Sequence, residues 1–102
     1  MEREIIYSIR GPRNLTEMTW VEVSEELKHA DLAVLPVGAI EEKGPHLPLA
    51  ADTIQGSEVS RRIVAKLVAE SIHSVAGPPI PFGVSLQQMD FAGTISLTHS
   101  TL

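Results

Sequence analysis

Four side chains able to bind a metal ion or move a proton lie close together in the chain: Glu41, Glu42, His46 and Asp52. Carboxylates and an imidazole are the oxygen and nitrogen donors that Zn and Mn accept. A divalent ion held by them could polarise a carbonyl and bring the pKa of a bound water to about 7, which is hydrolytic chemistry. Lys43 stands among these residues and, with Glu42 and His46, is a candidate to line the same site. Each residue also has a plain reading. Asp52 suits the N-cap of a helix, Glu41 and Glu42 suit solvated loop acids, and Lys43 suits a surface lysine. His46, between Pro45 and Leu47, suits a structural histidine that holds loop backbone. Spacing alone leaves both sets of readings open.

The elements that must position these groups follow from the flanking sequence. Residues 38–51 contain Gly38, Gly44, Pro45 and Pro48 and so form no regular element. They follow the apolar run 32–37, which reads as a buried strand. They precede the strongest helical pattern, residues 52–73, with Asp52 or Thr53 as its cap. There Val59, Ile63 and Leu67 recur at helical spacing, with Val64 and Val68 beside them, and predict a core-facing stripe. Glu58–Arg62 and Lys66–Glu70 are expected ion pairs in the favoured order. Upstream, residues 4–9 read as a short strand ended by Gly11-Pro12. Thr19 and Glu22 form a capping box that opens a helix running to near His29. Downstream, residues 78–83 read as extended, residues 94–97 as another strand, and residues 98–102 as the start of a helix. This alternation predicts an α/β protein with a mainly parallel sheet flanked by helices, in a single domain over residues 1–102. Ligands bind such sheets at the carboxyl ends of the strands, and the 38–51 loop leaves from one of them.

Bulk properties exclude several function classes. The chain of 102 residues is 43% apolar and 21% charged, the balance of an ordinary globular domain with a small core. Thirteen acidic residues against eight basic ones give a charge of −5, and no basic run or basic–aromatic patch offers a phosphate-binding surface, so nucleic acid is not an expected partner. Without cysteine there is neither a disulfide nor a thiolate site. The apolar run Ile5-Ile6-Tyr7 is too short for a signal peptide, and nothing approaches the roughly 20 apolar residues of a membrane span. A cytoplasmic protein is the expectation.

The segment Leu35-Pro36-Val37-Gly38, Glu41, Gly44-Pro45-His46-Leu47-Pro48-Leu49, Asp52 resembles the creatininase (creatinine amidohydrolase) signature, L-P-V-G-S-x-E-Q-H-G-P-H-L-P-L-x-x-D. A second block, Gly83, Ser85, Phe91, Gly93-Thr94 and Leu97, falls in register with G-x-S-x-E-H-x-x-F-P-G-T-x-x-L. The resemblance covers most of residues 14–102. It implies a three-layer α/β fold, here in truncated form, and a metal-dependent hydrolase of an amide or cyclic amide bond. It also implies one or two divalent ions (Zn, Mn or Fe), a small-molecule amide substrate, and assembly as a homo-oligomer or with a complementing chain. Carried onto this sequence, Glu41 would ligate one metal and Asp52 would bridge two. Lys43 stands where the family has the histidine that ligates the second metal, and a protonated lysine has no lone pair to give. Its fixed charge could replace that ion by pairing with Asp52. Glu42 for Gln, Gln87-Gln88 for Glu-His and Ala92 for Pro are further departures. The family's later N-G-H-G-G-N segment has no counterpart here. Two alternatives therefore stand beside the hydrolase: a shortened binding or assembly module without catalysis, and one half of a split hydrolase.

Overall fold

The computed structural model describes residues 14–102; the strand expected at residues 4–9 lies outside them. Asn14 opens the described chain. Its side chain accepts the Thr16 N–H at 2.9 Å, while Glu17 reaches back to the Asn14 N–H, giving a capping box over the short 3-10 turn Leu15–Glu17. The same side chain donates to the Gly77 carbonyl oxygen and ties the turn to the sheet. Helix α1 (Trp20–Leu27) starts as its sequence predicts, with Thr19 and Glu22 forming reciprocal capping bonds. It buries no residue, and Trp20 is 81% exposed.

Strand β1 (Leu32–Val34), helix α2 (Ala51–Ala69) and strand β2 (Ser74–Ala76) make a β-α-β unit in which β1 and β2 pair in parallel, Leu32 opposite Ser74 and Val34 opposite Ala76. The expected strand 32–37 is thus shorter and less buried than its apolar sequence predicts. Its regular part stops at Val34, because Pro36 has no N–H for a ladder; pairing resumes only as the parallel bridge Val37–Ile80. Strand β2 has no counterpart in the sequence reading, which runs the helix to residue 73 and places the next extended segment only at residues 78–83. Instead the helix stops at Ala69. Ser71 adopts φ 64°, its N–H bonds to Val68 O, and the Ile72 N–H bonds back to Leu67 O. That is a Schellman stop built on a serine rather than a glycine. The expected strand 94–97 is a single antiparallel bridge, Ile40–Ile95, and residues 98–102 form only a turn.

The other end of α2 also differs from expectation. The N-cap position is Ala50, with no side-chain capping bond, so neither Asp52 nor Thr53 caps the helix. A turn in which Ala51 N–H bonds to Pro48 O starts the helix early and frees both side chains for other contacts. The buried face of α2 centres on Ser60 and Val64, in line with Gly56; of the predicted stripe Val64 is buried and Leu67 half-buried, while Val59, Ile63 and Val68 are exposed. Small residues let the helix approach closely: a Cβ on Gly56 would lie 3.5 Å from the Val37 carbonyl oxygen. Val59 and Ile63 consequently remain 48% and 42% exposed. Of the two helical ion pairs, Arg62–Glu58 forms at 3.0 Å and Lys66–Glu70 does not. The stronger anchor is Arg61 to Glu17 at 2.6 Å, more shielded than any other pair among the described residues.

Candidate active site

The carboxyl ends of β1 and β2 point the same way, so residues 35–50 and 77–85 leave from one edge of the sheet. Backbone bonds hold the two segments together: Gly38 N–H to Ile80 O at 2.8 Å, and Ile80 N–H to Pro36 O at 2.9 Å. Gly38 then passes close under the first turn of α2. A Cβ there would sit 2.5 Å from Thr53 Oγ1 and 2.6 Å from Thr53 Cα, so only glycine fits. The Thr53 hydroxyl donates to Ala39 O at 3.2 Å and pins the loop to the helix.

The loop is held by bonds within itself and to a distant segment. Glu41 N–H bonds to Leu49 O at 3.1 Å, and Glu42 N–H bonds to the Thr94 hydroxyl at 3.3 Å. The Glu42 carboxylate turns back to accept the Gly44 N–H at 2.5 Å. Gly44 has φ 83°, and the His46 ring lies over it, 3.0 Å from where a Cβ would stand. Glu42 and His46 therefore shape the turn that presents Lys43.

Lys43 reaches Asp52, with Nζ 3.2 Å from Oδ1. The two side chains are 40% and 31% exposed, partly shielded from water. Asp52 lines an open hollow of about 450 Å³, with Val37, Gly38 and Ala39 on one wall and Gln55, Gly56 and Val59 on the other. Gln55 is a site residue that the sequence reading missed. Its signal was its helical spacing from Asp52, which puts both on one side of α2. Thr94 was missed as well, because its contact with Glu42 joins distant parts of the chain.

Of the five candidate residues, the structure thus joins Lys43 with Asp52 and places Glu42 and His46 in the turn beside them. The Glu41 carboxylate makes no ion pair or hydrogen bond with a described residue. Among the described residues no three His, Asp or Glu side chains converge closely enough to hold a metal ion. One oxygen of Asp52 is engaged by an ammonium. The residues present therefore do not by themselves fit a pair of divalent ions.

A parallel β-α-β unit with an acidic, glycine- and proline-ruled loop at the strand ends defines the class: an α/β protein with its candidate site at the sheet's carboxyl edge. The creatinine amidohydrolase family model matches residues 16–102, and the chain belongs to the creatininase family. The mycofactocin precursor peptide peptidase of Mycobacterium tuberculosis is 41% identical over 74 residues, which are 68% of this chain and 30% of that protein. The creatinine amidohydrolase of Pseudomonas putida is 34% identical over 92 residues, 84% of this chain and 34% of the relative. Among solved structures, a creatininase mutant described as Zn-Zn type superposes with a TM-score of 0.69 at 30% identity, over 85% of this chain and 34% of that one. The chain spans about a third of the length of the curated relatives it matches. No helix among the described residues is long and apolar enough to cross a membrane.

Proposed function

We propose that this chain supplies the front part of a creatininase-type hydrolase site, acting on an amide or cyclic amide bond. The observation that carries this reading is the placement of the signature loop: it lies at the carboxyl edge of the sheet, with Asp52 on the wall of the hollow. Gln55, beside it, offers both a donor and an acceptor, the complement of an amide group. The names of the relatives support the substrate class, since a peptidase and a creatinine amidohydrolase both open C–N bonds.

In this reading Glu41 and Asp52 are the metal ligands of the chain, and the ion is Zn, Mn or Fe. The described residues lack a full ligand set, so the remaining donors come from outside them. An oligomer or a complementing chain, in the cytoplasm, is the setting we propose. The test is elemental analysis of protein purified without chelator, beside Glu41→Ala. Metal near one ion per chain, lost in Glu41→Ala, is the expected result. A well-folded protein with no metal overturns the hydrolase reading for this chain on its own.

A second reading has its own observation. Nineteen large apolar side chains are exposed among the described residues, including Trp20, Val37, Phe82 and Phe91. That surface also suits a family member used for binding or assembly.

A further inference from the structure

We propose that Lys43 serves this site as a tethered cation: its ammonium stands against Asp52 in the place of a divalent ion, so the site takes one ion fewer than a Zn-Zn creatininase. This rests on the creatininase-type site proposed above and specifies how it is constituted.

Two features of the structure and the chemistry of lysine carry it. First, Lys43 Nζ lies 3.2 Å from Asp52 Oδ1, so one carboxylate oxygen already has a cationic partner. Second, both ends of the pair are positioned by backbone constraints. Lys43 sits between Glu42, whose N–H is held by Thr94 and whose carboxylate holds the Gly44 N–H, and the left-handed Gly44 under the His46 ring. Asp52 sits on the first turn of α2, next to the Thr53 hydroxyl bonded to Ala39 O. Third, the lysine can only exclude an ion and not ligate one. A protonated amine offers no lone pair. A dication brought to Asp52 would meet like charge within a few ångströms, at a pair that is partly shielded from solvent.

The proposal is tested by Zn²⁺ titration of the whole 102-residue chain against a chromophoric chelator, with circular dichroism to confirm the fold. At the same free Zn²⁺, Lys43→His is expected to take up one more ion per chain than the wild type. Adding Asp52→Asn to Lys43→His removes that gain. Lys43→Gln removes the charge without adding an imidazole, and is expected to tighten Zn²⁺ binding by about tenfold. Equal uptake by wild type and Lys43→His overturns the proposal. So does a gain that survives Asp52→Asn, or an unchanged affinity in Lys43→Gln. The outcome separates from that of the hydrolase reading. A metal-free wild type whose Lys43→His variant gains an Asp52-dependent ion upholds the tethered cation and sinks the hydrolase. A Glu41-dependent ion in the wild type, with no change on replacing Lys43, does the reverse.

Discussion

At the scale of single residues, the site depends on atoms that must be absent as much as on those present. Gly38 lets the loop slide beneath the first turn of α2, where any Cβ would enter the Thr53 backbone. Backbone is not free to swing aside as a side-chain tip is, so strain from a larger residue is relieved only by moving the helix. Gly38→Ala is therefore expected to destabilise the protein by about 2 kcal/mol, read as a lower urea midpoint. It should also weaken the Lys43–Asp52 pair, because that pair spans the loop and helix being pushed apart. An unchanged midpoint would count against steric contact between loop and helix as the source of the cost. Lys43 illustrates the opposite case, in which one atom type decides the chemistry: its ammonium gives Asp52 a positive partner and, having no lone pair, cannot act as a ligand.

At the scale of elements, α2 shows how a helix can be legible in existence and misread in orientation. Its apolar residues recur at helical spacing, yet the buried face centres on Ser60 and Val64, in line with Gly56, because close approach favours small side chains over large ones. Its end is set by Ser71, in the left-handed region that costs an L-residue about 1–2 kcal/mol. Ser71→Gly keeps the Schellman bonds and removes that penalty, less the extra freedom glycine gains in the unfolded chain. The expected outcome is a net stabilisation of about 0.5–1 kcal/mol, visible as a higher thermal midpoint. A lower midpoint would mean that the serine side chain contributes something that the backbone geometry does not show.

At the scale of the whole molecule, the described residues bury few large apolar side chains and expose many. The fully apolar core among them is Val64, Val75 and Ala76. The exposed set includes Leu47, Ile54 and Val59, which line an open groove of about 520 Å³ on the outer side of α2. Apolar surface on this scale favours association over solvation. The isolated chain is expected to self-associate at micromolar concentration, and sedimentation velocity at several loadings would show it as a weight-average mass rising with concentration. A single monomer peak at all loadings would remove the assembly reading.

What the sequence determined by itself was local and chemical. The cap at Thr19, the irregular loop ruled by Gly38, Gly44, Pro45 and Pro48, the helix after it and the family signature all rest on contacts within a few residues, or on residue types that allow one backbone. The candidate ligands and the misfit of Lys43 were legible for the same reason, since a lone pair is a property of the residue and not of the fold. The tertiary structure decided which face of α2 is buried, that residues 74–76 form a strand beside β1, that Asn14 ties to Gly77 and Thr94 to Glu42, and that Gln55 lines the hollow beside Asp52. Those outcomes depend on contacts between positions far apart in the chain, where close approach and hydrogen-bond partners override local periodicity. It also decided that Lys43 and Asp52 meet, by setting the loop turn and the start of α2 against each other at hydrogen-bonding distance.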